Sequence, residues 1–225
     1  MASWIVHLRV AQAVMERVAA LCPQEFVVGN IAPDSGVPNA DWSAFSPSKD
    51  ISHFYVRDAR GKHAISPELF AERYLSQAQL CRYDARQRSF YLGYFCHLMT
   101  DVYWTNDIFA CSVRADEAAY RADPSATVWK WKKDWYDLDF LYLRDHPDFE
   151  AFALYAQATN FENVYMDEFS ADAFALRCRY ILDFYRDDTQ HGVLDREYPY
   201  LTRERMDAFV RDTADRVIAA IGGEI

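Results

Sequence analysis

Apolar positions recur at three- and four-residue intervals through most of the 225-residue chain, and glycine is scarce, at 7 residues. That periodicity belongs to amphipathic helices, so an all-α fold is expected. Ser3 is placed to cap a first helix over Trp4 to Leu21, with His7, Val10, Ala11, Val14, Val18 and Leu21 on one face. From Cys22 to Ser66 the pattern breaks at Pro23, Pro33, Pro38 and Pro47 and at the turn-forming groups Gly29-Asn30, Asp34-Ser35-Gly36 and Pro38-Asn39. This stretch reads as a loop, and a loop so long in a compact domain usually has a functional reason. Ser66-Pro67-Glu68 opens a second helix running to about Arg82. Asp84, with Gln87 in capping-box position, opens a central one. Further helices are expected over Ala115 to Ala122, Thr127 to Leu143, Pro147 to Ala158, Ala171 to Arg186 and Arg203 to Ile221. The last two carry packing seams, Phe174, Cys178, Ile181 and Tyr185 on one and Phe209, Thr213, Val217 and Ala220 on the other. With no internal repeat, low-complexity segment or linker, residues 1–225 read as a single multi-helix domain with a long N-terminal loop segment.

The central helix holds the most informative residues. Inside the apolar run Phe90 to Cys111, His97 and Asp101 stand four positions apart, on one helix face about one turn from each other. Gly93, Thr100 and Trp104 share that face and Asp107 lies at its edge, in a helix apolar nearly all round. Ionisable groups in such a setting need partners. A buried ion pair is one explanation of His97 and Asp101; a metal site is the other. His7 on the first helix, Asp34 in Gly29-Asn30-Ile31-Ala32-Pro33-Asp34 and His53 in Asp50-Ile51-Ser52-His53 complete a set of imidazoles and carboxylates, the donors that zinc and similar divalent ions prefer in hydrolytic sites. Taken singly, His7 also reads as a satisfied core histidine and Asp34 as a turn residue beside proline.

Bulk properties narrow the function classes. A 51% hydrophobic composition supports a substantial core, and no stretch approaches the roughly 18 to 20 apolar residues that span a bilayer. A net charge of −10 disfavours broad binding to duplex nucleic acid. Five cysteines, Cys22, Cys81, Cys96, Cys111 and Cys178, are scattered without a CxxC pair and read as reduced, mostly buried thiols. The N-terminus lacks the features of a signal peptide, and together these readings point to the cytoplasm.

The order of the motifs adds a resemblance. Trp4 and His7 near the start, an aspartate after Gly-Asn-Ile-Ala-Pro, a loop histidine, then Gly93-Tyr94-Phe95-Cys96-His97-Leu98-Met99-Thr100-Asp101 on a long helix is similar to the zinc-dependent phospholipase C family. That family is related to single-strand-specific fungal nucleases, and the chain most resembles its short bacterial cytosolic members. The likeness spans about Met1 to Asp137. It implies that Asp34, His53, His97 and Asp101 hold one metal and that Asp101 bridges to a second held with His7. It also implies a metal-dependent phosphoesterase that uses a metal-activated water, with Asp34 as ligand or as the base that takes the water's proton. Substrates would be a phospholipid headgroup or another small phosphodiester, and a nuclease or a non-catalytic metal-binding protein are the alternatives.

Two departures accompany the resemblance. The secreted enzymes complete the second metal with the amino group and carbonyl of an N-terminal tryptophan, whereas Trp4 is internal here. A third metal in the family uses a histidine six residues after the bridging aspartate, where this chain has Asp107. Its remaining ligands fall on Asp134 and Asp137 or, less well spaced, on His146 and Glu150. Two or three Zn2+ ions are thus expected, and a carboxylate-only third site would suit Mg2+ or Mn2+ instead. The cluster Trp129-Lys130-Trp131-Lys132-Lys133-Asp134-Trp135 has two readings: lysines meeting phosphate and rings meeting a base or acyl chain, or alternate packing and snorkelling on a helix. His63 and His191 sit in loop contexts and are expected to face solvent.

Overall fold

The structure, a computed structural model, describes residues 1–57, 61 and 63–222. It is all-α apart from two short antiparallel hairpins. Helix α1 covers Trp4–Met15 and ends six residues earlier than expected, because the chain turns and α2, Pro23–Ile31, starts at once. The expected loop therefore contains a buried helix. Pro23 occupies the first helical turn, where its missing N–H costs nothing, so it begins a helix here instead of breaking one. A 3-10 turn over Ala32–Asp34 follows, then β1 (Val37–Pro38) paired with β2 (Phe45–Ser46), a single helical turn α3 (Lys49–Ser52), and β3 (Tyr55–Arg57) paired with β4 (His63–Ile65).

The second expected helix divides into α4, Pro67–Tyr74, and α5, Gln77–Leu80. The Ser66 hydroxyl accepts from the Leu69 N–H at 3.2 Å, and the Asp84 carboxylate accepts from the Gln87 N–H at 2.8 Å to start α6, Ala85–Tyr103. A π-helical stretch, Trp104–Phe109, carries α6 into α7, Ala110–Ala115. Then come α8 (Glu117–Ala122), α9 (Pro124–Asp145), α10 (Glu150–Ala156), α11 (Ala173–Arg186) and α12 (Arg203–Ile221). Along α11 the seam Phe174, Cys178, Ile181 and Tyr185 is buried throughout. On α12 the buried seam runs Phe209, Thr213, Val217 and ends on Ile221, leaving Ala220 exposed. All five cysteines are free thiols; Cys96 and Cys178 are buried, Cys22 and Cys111 partly so, and Cys81 is exposed.

Helices α2 and α6 cross in backbone contact. A Cβ at Gly29 would lie 2.1 Å from the Phe90 carbonyl oxygen, and one at Gly93 would lie 2.2 Å from the Phe26 carbonyl oxygen. No real Cβ tolerates such distances, so these two reciprocal glycines permit the approach. Around it Phe26, Phe90, Tyr94 and Leu92 are fully or almost fully buried, and aromatic rings of α4 stack on α6, Phe70 on Tyr94 at 4.7 Å. Gly93→Ala is expected to cost about 1–3 kcal/mol through overpacking, or roughly 2–12 °C in Tm at about 2–4 °C per kcal/mol. Gly192→Ala, whose added methyl would meet only the Lys133 Nζ at 3.4 Å, is the control. Equal melting of the two variants by differential scanning calorimetry would contradict the packing argument.

A buried polar link joins the N-terminus to α9 and α11. The expected Ser3 cap is absent: its hydroxyl instead donates to Asp139 Oδ1 at 2.8 Å, and the Tyr185 hydroxyl donates to Oδ2 at 2.7 Å. Burial pushes the Asp139 carboxyl up to about 7, against the opposing pull of those hydrogen bonds and of Arg9. A raised carboxyl is protonated in the fold while its unfolded counterpart ionises near 3.8. Its contribution is therefore complete below about pH 4 and is lost as the pH climbs through about 7. Asp139→Asn should flatten the fall in Tm between about pH 5 and pH 8, and an unchanged slope would count against a protonated Asp139.

Candidate metal centre

Five side chains from four segments meet beside the α2–α6 contact. His7 comes from α1, Asp34 from the end of the 3-10 turn, His53 from the residue closing α3, and His97 and Asp101 from α6. His7, His53, His97 and Asp101 are wholly buried, and the Asp34 side chain retains 12% exposure. Two groups of three have ligand atoms within 4.8 Å of one another: His7, His97 and Asp101, and Asp34, His53 and His97.

The spacings distinguish ion ligands from hydrogen-bonded partners. His7 Nε2 lies 3.4 Å from Asp101 Oδ1, His97 Nε2 lies 3.5 Å from Asp101 Oδ2, and His53 Nε2 lies 3.4 Å from Asp34 Oδ1 and 3.8 Å from Asp101 Oδ2. Hydrogen bonds of this kind run about 2.7–3.2 Å. Two donors each about 2.0–2.1 Å from a tetrahedral zinc stand about 3.3 Å apart. Both ring nitrogens of His7, Nε2 of His53 and His97, and Oδ2 of Asp101 are buried without a hydrogen-bond partner. Orphaned buried polar atoms are costly, and here they are aimed at one another. The residues fit a divalent cation.

Neighbouring groups fix the donors. His97 Nδ1 lies 2.7 Å from the Asn30 carbonyl oxygen, which takes its proton and leaves the Nε2 lone pair facing the cluster. His53 Nδ1 lies 2.9 Å from Ser52 Oγ, which engages that nitrogen and leaves Nε2 turned to the cluster. The Tyr94 hydroxyl donates to the Ser52 carbonyl and ties this corner to α6. Phe54, directly after His53, takes a left-handed φ of 51°, a conformation that costs a bulky residue about 1–2 kcal/mol. The ring of Phe54 is held edge-on to Phe70 at 5.2 Å. Asp34 Oδ2 accepts from the Trp4 indole N–H at 2.9 Å, leaving Oδ1 toward His53. Trp4 thus reaches the centre through its ring. The backbone N–H of Ala2 donates to Asp101 Oδ1 at 2.8 Å, so the chain start closes one side of the cluster.

Electrostatics follow from this crowding. The imidazoles of His7 and His97 stack at 3.8 Å with planes 2° apart. Burial, reinforced by the neighbouring His97, lowers His7 to about 4, so that ring is neutral near pH 7. Burial also opposes charge on His97, but the close carboxylate of Asp101 and the charge of Asp34 outweigh it and raise its pKa. Asp101 is held well below the usual carboxylate range, because the close imidazoles of His7 and His97 overcome desolvation; Asp34 is lowered likewise, chiefly by the neighbouring His53.

The remaining sequence candidates lie apart from both groups. The wider π-helical turn after Tyr103 changes the register of the helix, and Asp107, 42% exposed, pairs with Arg216 of α12 at 2.6 Å. The carboxylates of Asp134 and Asp137 are buried against Arg196, at 2.8 and 2.7 Å, and Asp134 also accepts from the Tyr200 N–H. The arginines neutralise the charges that a third, carboxylate-only site would need. His146 is exposed and stacks on Tyr142, Glu150 is exposed, His63 is exposed and His191 is partly buried. Asn30, Ser52 and Ala2 were not legible as site residues, since each acts through a backbone group or as a neighbour of a ligand.

Residues 6–105 match the model of zinc dependent phospholipase C. Over that segment the chain is similar to the zinc-dependent phospholipase C family. No curated protein and no solved structure matches the chain. The phospholipase C match contains all five converging residues and excludes Asp107, Asp134 and Asp137.

Zn2+ added at about 100 times its Kd should stabilise the ion-free protein by about 2.7 kcal/mol, an increase in Tm that His97→Ala abolishes. Because the His97 pKa is raised, an ion must displace its proton, so apparent affinity should fall as pH drops through that raised value. Calorimetric titration in buffers of different ionisation enthalpy measures the proton released; an enthalpy independent of buffer would contradict it.

Proposed function

We propose that the chain is a metal-dependent, most simply zinc-dependent, phosphoric ester hydrolase acting on a small phosphodiester or a phospholipid headgroup. The observation that carries this reading is the set of orphaned nitrogen and oxygen atoms of His7, His53, His97 and Asp101 spaced for a shared cation, with Asp34 beside them at the edge of a cavity. A zinc ion in such a set supplies Lewis acidity toward a phosphoryl oxygen and lowers the pKa of a water.

Two ions suit the donors better than one. With His97 Nδ1 committed to Asn30, its single free lone pair serves one ion. Asp101 turns Oδ1 toward His7 and Oδ2 toward His97 and His53, and so it is the residue able to serve both. His7 belongs with one ion, and Asp34 and His53 with the other. Asp34 is the one member of the set that lines the cavity of about 300 Å³ opening at its side. Its Trp4 hydrogen bond fixes the carboxylate there, where it can bind an ion or accept a proton from a water entering from the cavity. A centre serving only to hold the fold together would have no need of that opening. Among the described residues no helix is long and apolar enough to cross a membrane, so a lipid substrate would be approached from the aqueous side.

Purified without a histidine tag, the protein should contain close to two equivalents of transition metal by mass spectrometry and should hydrolyse bis(p-nitrophenyl) phosphate. Asp101→Asn should lower kcat by about 100-fold or more, as expected for loss of several kcal/mol of charge stabilisation, with circular dichroism unchanged. Less than half an equivalent of metal, or turnover unaffected by Asp101→Asn, would overturn the proposal. Trp4→Phe, which removes the N–H holding Asp34, should reduce kcat about 10- to 100-fold by loss of a charge-assisted hydrogen bond while the metal content stays the same.

A further inference from the structure

The cavity beside Asp34 has an electrostatic character opposite to that of the whole chain. The protein carries −10, yet Lys49, Lys132 and Arg177 line this cavity, and Asp34 is the one acidic residue among the described residues of its wall. Among the described residues none of the three cations has a carboxylate oxygen within 4 Å. Among the described residues the one hydrogen-bonding contact of Lys49 is the Met1 sulfur at 3.8 Å, and Lys132 lies 4.8 Å from the Trp129 ring centre. Arg177 is nine-tenths buried, donates one hydrogen bond to the Gly36 carbonyl at 3.0 Å, and leaves its Nε without a partner. A buried guanidinium with an idle donor and no counter-charge is incomplete until an anion arrives.

Aromatic walls alone would equally suit a quaternary ammonium, which binds over ring faces. Here Arg177 already lies over Tyr180 at 5.3 Å and 5.8 Å from Trp4, so a cation holds two of the six aromatic rings of the wall. A positively charged headgroup would meet three positive charges and find one carboxylate, itself turned toward His53 and Trp4. We infer that this cavity receives the part of the substrate beyond the scissile phosphate and selects a group bearing further negative charge, a second phosphate or a carboxylate, against a quaternary ammonium. The inference rests on the phosphoester reading of the adjacent centre.

Two ligands that share one phosphate and differ in the second group isolate the preference: propanediol bisphosphate and phosphocholine. Titrated into the zinc-loaded protein and followed by tryptophan fluorescence, the bisphosphate should bind at least about tenfold more tightly at low ionic strength, with the gap narrowing as salt screens the cavity. Lys132→Glu should reduce the preference to about twofold or less, and Lys132→Arg should keep it, as a role in charge and not in packing requires. Equal binding, a preference for phosphocholine, binding of neither ligand, or a preference untouched by Lys132→Glu would each overturn the inference. Selective bisphosphate binding without turnover of any diester would remove the hydrolytic reading while the anion preference stood. Turnover of soluble glycerophosphoinositol phosphate, or of phosphatidylinositol phosphate in phosphatidylcholine vesicles, shows whether the anionic group comes on a free diester or on a lipid. Faster cleavage of the phosphatidylcholine itself would overturn the inference.

Discussion

Everything at the centre depends on how closely two helix backbones approach. Gly29 and Gly93 remove the side chains that would separate α2 from α6, and this brings the Asn30 carbonyl to His97 Nδ1. A methyl group at either glycine would push that carbonyl away and release the imidazole from its tautomer and orientation. The glycines thus act at one remove: they bind nothing, but they decide which nitrogen of His97 faces the cluster. The same contact positions the chain downstream of α2, because the 3-10 turn bearing Asp34 begins where α2 ends.

The polar groups that orient the donors share a property. The Asn30 carbonyl, Ser52 hydroxyl, Ala2 amide and Trp4 indole are all neutral. Burying an additional charged partner would add its own desolvation cost and would neutralise a carboxylate otherwise available to a cation. Neutral hydrogen-bonding groups fix direction while leaving the negative charge of Asp34 and Asp101 unanswered. Where the fold does place arginines on carboxylates, at Asp107, Asp134 and Asp137, it closes those residues to an ion.

The helical architecture was legible because long elements repeat the 3.6-residue period, and the bounds of α12 follow the pattern residue for residue. The stretch between Cys22 and Ser66 was misread because proline and glycine signal turns in an isolated chain. Pro23 starts a helix there, and Gly29 serves a close approach to a segment some sixty residues away, which no local window can detect. His97 and Asp101 announced themselves by spacing on an apolar helix. Their partners His7, Asp34 and His53 stood out by donor type alone and were grouped with them only by the resemblance, since spacing across four segments carries no geometric information. The register change after Tyr103, which sends Asp107 toward α12, arises from a π-helical turn with no signature in the residue pattern.

The three imidazoles are not equivalent in freedom. Those of His53 and His97 each have one nitrogen engaged, whereas neither nitrogen of His7 has a hydrogen-bond partner, and its ring merely lies flat against that of His97. Rotation about its Cα–Cβ and Cβ–Cγ bonds would shift the His7 nitrogens without breaking any hydrogen bond. The centre therefore combines a rigid side, anchored to Asn30, Ser52 and Trp4, with one adaptable arm. Ions of different radius would be accommodated by that arm, while the side next to the cavity kept its shape.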